Sequence, residues 1–326
     1  MQHRALGRSG LVVSHVGIGC NAFGARIEQD QVTAVVDAAF DAGVTFFDTA
    51  DVYGLGASEE TLGVALRGRR DDVVVATKFG MDMEGRNGPD HGARSSRRYV
   101  RRAVEASLRR LGTDRIDLYQ LHQPDLVTPV EETLASLQEL VDEGKVLYAG
   151  CSNFAAWEVT HAHHVARDLR VQGFVTAQNE YSLYNRVAED ELVPACLAAG
   201  VGVLPYFPLA YGLLTGKYHR GQAAPDGTRL GLDAQRHRLE GADFDRIDAL
   251  QQYADARDLD LLTVAMGGLA AQPAVASVIA GVSRPEQVRS NVAAASWEPG
   301  PEDLEELRAV NREHLPGASY RSYALG

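Results

Sequence analysis

Three consecutive apolar runs end on side chains that can carry charge or a proton: residues 45–48 close on Asp48, 73–77 run into Lys78, and 116–122 close on His122. Tyr53 lies five residues beyond Asp48 in Phe46-Phe47-Asp48-Thr49-Ala50-Asp51-Val52-Tyr53-Gly54, near enough for the loop to return its phenol to the same place. Reducing a carbonyl needs a hydride at carbon and a proton at oxygen. A tyrosine with its ordinary pKa of about 10 gives up that proton reluctantly near neutrality. A lysine beside it favours the phenolate, a carboxylate holds the ammonium, and an imidazole can hydrogen-bond the carbonyl oxygen. Alone, each residue has an ordinary reading: Asp48 as a turn former, Lys78 as a snorkelling strand end, His122 as a satisfied core histidine. Together at three successive strand ends, with a phenol between them, they predict a catalytic group.

That grouping requires a fold in which strand ends converge. Eight short, nearly all-apolar runs (16–20, 45–48, 73–77, 116–122, 146–150, 174–178, 201–206 and 275–279) alternate with segments of helical period, the signature of parallel strands joined by crossover helices. Ser58-Glu59-Glu60 and Pro129 open helices, and Gly43, Gly144 and Gly200 sit just past helix ends. The expectation is an α/β protein, a (β/α)8 TIM barrel spanning 1–326 as one domain, with residues 6–13 forming a hairpin that plugs its bottom. Two long connections, 80–96 and 213–242, follow strands and so fall on the active face, where long loops bind or cover something.

Composition narrows the partners. The chain has 326 residues, 45% apolar and 23% charged, and a net charge of −12 spread along its length, which argues against surfaces built for nucleic-acid phosphate or anionic lipid. The start of the chain has no apolar signal core, and no run of about 20 apolar residues offers a membrane span; the expectation is a cytoplasmic protein with a small-molecule partner. Cys20, Cys151 and Cys196 are too far apart for a zinc site and odd in number. His161-Ala162-His163-His164 falls in a helical segment where the rings diverge, so no metal site is predicted.

A doubly wound sheet would show G-x-G-x-x-G after its first strand, and Gly17-Ile18-Gly19-Cys20-Asn21-Ala22-Phe23-Gly24 does not match it. A different set of motifs does find a match. Phe47-Asp48-Thr49-Ala50 with Tyr53-Gly54, Ser58-Glu59-Glu60-Thr61-Leu62-Gly63, Ala76-Thr77-Lys78, Ser107-Leu108-Arg109-Arg110-Leu111, Asp117-Leu118-Tyr119-Gln120-Leu121-His122, and Gly144-Lys145-Val146 with Gly150-Cys151-Ser152-Asn153-Phe154 together resemble the aldo-keto reductase superfamily over almost the whole chain. Gln178-Asn179-Glu180-Tyr181-Ser182-Leu183 and the segment 208–218 are similar in particular to bacterial members and to potassium-channel β-subunit-like members.

The resemblance implies a tetrad of Asp48, Tyr53, Lys78 and His122 and an extended NADP(H) across the barrel mouth. It places Ser152, Asn153 and Gln178 on the carboxamide, Tyr206 on the nicotinamide ring, and Cys20, Asn21 and Asp48 nearby. Phe207, Pro208, Leu209 and Lys217 would meet the pyrophosphate, with Arg229 closing over it. Gly281, Ser283, Arg284, Gln287 and Asn291 would hold the adenosine end, Ser283 and Arg284 taking the 2′-phosphate. Two positions depart from the family pattern. Phe207 stands where serine is common, removing a hydroxyl contact, and Met266-Gly267-Gly268 puts two glycines in a helix at about 1 kcal/mol each.

The resulting expectation is NADPH-dependent reduction of an aldehyde or ketone, or the reverse oxidation of an alcohol or sugar. The alternative is a nucleotide-binding regulatory or redox-sensing subunit with slow turnover. Phe23, Phe79, Tyr181 and Phe207 suggest a partly apolar pocket, shaped by the two long loops and by a tail through Tyr320 and Tyr323. The sequence chooses neither the substrate nor the oligomeric state.

Overall fold

The computed structural model describes residues 1–310, so the tail through Tyr320 and Tyr323 lies outside the described residues. Eight parallel strands close into a barrel: β3 (Val16–Gly19), β4 (Phe46–Asp48), β5 (Val74–Phe79), β6 (Ile116–Leu121), β7 (Val146–Ser152), β8 (Thr176–Glu180), β9 (Gly202–Tyr206) and β10 (Val278–Gly281), with β10 completing the ring against β3. Before them, β1 (His3–Ala5) and β2 (Val12–Ser14) form an antiparallel hairpin. Its Leu6, Leu11 and Val13 pack with Phe46, Ala76, Leu118, Leu204, Ala276 and Ile279 in one apolar cluster. The hairpin is therefore the floor of the barrel, and polar side chains that enter the barrel must do so above it.

Helices wrap the strands through apolar stripes. In α1 (Gln29–Asp41), Val32, Val35, Val36 and Ala39 recur at helical spacing and are buried. The remaining crossovers are α2 (Ala57–Ala65), α3 (Arg97–Leu111), α4 (Val130–Asp142), α5 (Ala156–Leu169) and α6 (Leu192–Ala199). Three helices, α7 (Asp233–Glu240), α8 (Phe244–Asp255) and α9 (Leu261–Ala270), stand between β9 and β10, and α10 (Pro285–Ala294) and α11 (Pro301–Ala309) follow. Asp243 and Asp260 cap α8 and α9, accepting from Asp245 N and Arg246 N and from Thr263 N. Among the described residues no helix is long and apolar enough to cross a membrane.

Some boundaries differ from expectation. The last strand begins at Val278 rather than 275, because Val275 makes only an isolated bridge to Val203 before pairing with β3 starts at Val16. Lys78 lies inside β5 rather than after it; a lysine reads as a strand end only until its interior partners are known. The 213–242 connection is not plain loop, since it includes α7 and sits on a second apolar cluster of Leu213, Leu214, Tyr218 and Leu230 with α8 and α9.

The paired glycines of α9 also find a reason. A Cβ on Gly267 would lie 2.8 Å from the Trp297 carbonyl oxygen, and one on Gly268 would lie 3.0 Å from Leu307 and 3.1 Å from Leu183. The glycines admit the chain that runs from α10 into α11. Helix propensity favours alanine by about 1 kcal/mol, whereas overpacking costs about 1–3 kcal/mol. Gly267→Ala is thus expected to lower the midpoint of thermal unfolding, and a raised midpoint would show that the close approach to Trp297 relaxes freely.

Candidate active site

The centre is a buried ion pair. Lys78 Nζ donates to Asp48 Oδ2 at 2.6 Å, to the Thr49 carbonyl at 2.9 Å and to Tyr53 Oη at 3.4 Å. These contacts occupy all three ammonium donors, so the charge has one orientation. Asp48 Oδ1 accepts from Gln120 Nε2 at 3.1 Å and from Gln178 Nε2 at 2.9 Å. Both charges are almost fully buried, an arrangement tolerable only when the remaining lone pairs and protons are satisfied, as they are here.

The backbone between Asp48 and Tyr53 is fastened along its length. Thr49 N donates to the Ala76 carbonyl and Asp51 N to the Lys78 carbonyl. Thr49 Oγ1 and Ser58 Oγ are 2.7 Å apart, and Ser58 Oγ donates to the Cys20 carbonyl. Tyr53 then starts a tight turn (Tyr53–Gly56) that leads into α2. Its ring meets that of His122 edge-on, with centroids 5.8 Å apart.

The electrostatics follow from burial. Burial pulls the Lys78 ammonium down, but Asp48 and Tyr53 outweigh it and leave its pKa raised. Burial pushes the Tyr53 phenol up, and the opposing pull of Lys78 does not cancel it. The sequence reading expected Lys78 to win that contest; it loses because the phenol is desolvated along with the lysine. His122 is held well below its usual range by burial and then by Lys78, so it is a neutral imidazole. Its Nδ1 is buried without a hydrogen-bond partner.

Along the mouth, β7 to β9 are joined by polar side chains. Ser152 Oγ donates to the Gln178 carbonyl, Asn153 Nδ2 to the His122 carbonyl at 2.9 Å, and Tyr206 Oη to Asn153 Oδ1 at 2.7 Å. Gln178 directs its amide nitrogen to Asp48 Oδ1. Cys20 is buried with its N–H on the Asp48 carbonyl, while Asn21 accepts from Arg26 and lies beside Gly281.

Phe207 packs against Tyr211 with ring centroids 4.2 Å apart and planes tilted by 40°, and the Arg229 guanidinium lies over both rings at 5.3 and 5.2 Å. Phe207 is thus a platform for Arg229. Arg238 sits 3.8 Å over Tyr211 from the other element, α7. Pro208 and Leu209 continue from Phe207, and Lys217 is exposed, its ammonium 5.2 Å from the Tyr218 ring. At the start of α10, Gln287 Oε1 accepts from Ser283 N at 2.8 Å, from Ser283 Oγ and from Arg284 N. Arg284 is exposed there, and Asn291 is buried one turn further on. Among the described residues no three His, Cys, Asp or Glu side chains could hold a metal ion.

The sequence of residues 15–312 matches the Aldo/keto reductase family. The chain belongs to that family. It is 37% identical over 328 residues to an uncharacterized oxidoreductase of Bacillus subtilis, covering 97% of each chain. It is 36% identical over 321 residues to a probable voltage-gated potassium channel subunit beta of Oryza sativa, covering 95% of this chain and 96% of that one. It is 32% identical over 331 residues to the versiconal hemiacetal acetate reductase of Aspergillus parasiticus, covering 94% and 96%. Family membership places the chain among oxidoreductases that act on carbonyl groups.

Sequence reasoning missed several residues that support this family site. Gln120 carries an amide inside an otherwise apolar strand, two residues before His122, and that spacing was the available signal. Arg238 gave none, because Tyr211 lies far from it in sequence, and Arg26, although close to Asn21 in the chain, stands outside any motif. Behind Tyr53, Glu59 accepts from Thr77 Oγ1 and Arg110 Nε, both at 2.6 Å, while Asp51 Oδ2 accepts from Asn87 Nδ2 at 3.1 Å. Burial, with Glu59 as the next cause, pushes Asp51 up to about 8. Its folded value lies above the ordinary carboxylate value, so the folded chain holds this proton more tightly than the unfolded chain does. Its contribution to stability is full below about pH 4 and is lost as pH rises through about 8. Asp51→Asn is expected to flatten the decline of stability across that window in urea titrations at closely spaced pH; an unchanged slope would exclude Asp51 as its source.

Proposed function

We propose that the chain reduces an aldehyde or ketone with NADPH, or runs the reverse oxidation of an alcohol, with Tyr53 as proton donor. The observation that carries this reading is the triple contact of Lys78 with Asp48, Thr49 and Tyr53 beside a neutral His122. A raised phenol pKa keeps Tyr53 protonated and ready to donate, and Lys78 is placed to stabilise the phenolate once the proton has gone. Asp48 keeps Lys78 charged. His122, being neutral, offers a carbonyl oxygen an N–H hydrogen bond without competing as the acid.

The residues present suit an extended dinucleotide. Ser152 and Asn153 would hold the carboxamide and Tyr206 the nicotinamide face. Arg229 on its aromatic platform, with Lys217 and the added Arg26 and Arg238, would face the pyrophosphate. Ser283 and Arg284, at a helix start already ordered by Gln287, would take the 2′-phosphate. When bound, the nicotinamide supplies hydride to the carbonyl carbon.

A second reading is favoured by the similarity to the probable voltage-gated potassium channel subunit beta of Oryza sativa: a nucleotide-binding subunit in which occupancy matters more than turnover. One set of measurements separates the two. NADPH oxidation is followed with a panel of small aldehydes, α-dicarbonyls and sugars while binding is read by fluorescence. Tyr53→Phe is expected to reduce turnover by about 10²–10⁴-fold with NADPH affinity retained. Equal turnover in mutant and wild type would overturn the mechanism, and tight binding with negligible wild-type turnover would establish the second reading. Arg284→Ala is expected to weaken NADPH binding by about ten-fold or more and to leave NADH binding unchanged; equal losses for both nucleotides would move the 2′-phosphate site elsewhere.

A further inference from the structure

Between α3 and the 80–96 segment lies a groove of about 320 Å3 lined by Arg86, Arg101, Arg102, Arg109, Glu105 and Asn87. Two of these charges are already matched. Arg101 pairs with Glu139 at 2.9 Å and Glu143 at 2.5 Å, and Glu105 with Lys145 at 2.7 Å. The guanidiniums of Arg86, Arg102 and Arg109 form no ion pair among the described residues. Arg86 and Arg102 donate only to the Leu55 and Pro89 carbonyls, each at a long 3.4 Å.

Three uncompensated cations thus converge on one concavity in a chain whose net charge is −12. Their mutual repulsion is unfavourable unless something negative lies between them. The groove is also built rather than accidental. Gly88 turns the loop with φ +87°, a left-handed backbone that favours glycine, and passes beside the Arg102 guanidinium. Asn87 is buried at the floor and fixed on both sides: its Nδ2 donates to Asp51 Oδ2, and its Oδ1 accepts from Arg110 at 3.4 Å.

Planar guanidinium forks match phosphate oxygens in geometry as well as charge. The groove is small, and a chain whose net charge is −12 disfavours an extended polyanion such as nucleic acid. We propose that this groove binds a small multivalent phosphate anion at a site separate from the barrel mouth.

Inorganic pyrophosphate titrated into the full chain by calorimetry at fixed ionic strength tests the proposal, with Arg229→Gln as the background so that the mouth's main cation does not contribute. Saturable binding is expected, weakened about ten-fold or more by Arg102→Gln with Arg109→Gln. Arg86→Gln with Arg109→Gln, both exposed positions, should weaken it likewise, and circular dichroism checks that each variant is folded. No saturable binding in the Arg229→Gln background, or an affinity indifferent to both double substitutions, would overturn the proposal. Adenosine diphosphate run in parallel identifies the source of the phosphate from the part of its binding that the double substitutions remove: a loss equal to that for pyrophosphate assigns recognition in the groove to the phosphates alone, and a larger loss assigns it to a nucleotide.

Discussion

The pairing of Lys78 with Asp48 inside the barrel is the constraint on which the site depends. Two opposite charges removed from water are held only if nearly every hydrogen-bonding position around them is filled, since a charge left unpaired there costs about 3–5 kcal/mol. That demand explains otherwise unrelated features. Gln120 and Gln178 must turn inward from β6 and β8 to complete Asp48, the Thr49 carbonyl must face Lys78, and the third ammonium proton is left for Tyr53. Four strands and one loop are thereby held in a common register by a single pair of charges.

The same desolvation sets the acid–base character of the neighbours. It raises the phenol, depresses the imidazole and raises the Asp51 carboxyl behind the loop. Lys78 opposes the first of these shifts and reinforces the second. A protonated tyrosine next to a neutral histidine is the outcome, which is the division of labour a proton donor and an orienting hydrogen-bond donor require.

Phe207 shows how a departure from a family pattern can be read physically. A phenylalanine in place of serine removes a hydroxyl, yet its ring packs against Tyr211 and gives Arg229 a surface to lie on. Arg238 reaches the same tyrosine from α7. The long connection after β9 is therefore fastened at its tip by cation–π contacts and at its base by its own apolar cluster, which a Gly-, Asp- and Arg-rich stretch does not reveal.

The sequence by itself determined the barrel, the order of its strands and the positions of Asp48, Tyr53, Lys78 and His122. Short apolar runs, segments of helical period and short motifs are local, and the barrel topology then brings successive strand ends to one face. Only the tertiary structure decided which residues complete the ion pair, which way Gln178 points, why Gly267 and Gly268 are tolerated, and that burial outweighs Lys78 in setting the Tyr53 phenol. Each of these depends on contacts between residues far apart in the chain, or on how much water the closed barrel excludes, and neither quantity is written in the neighbours of a residue.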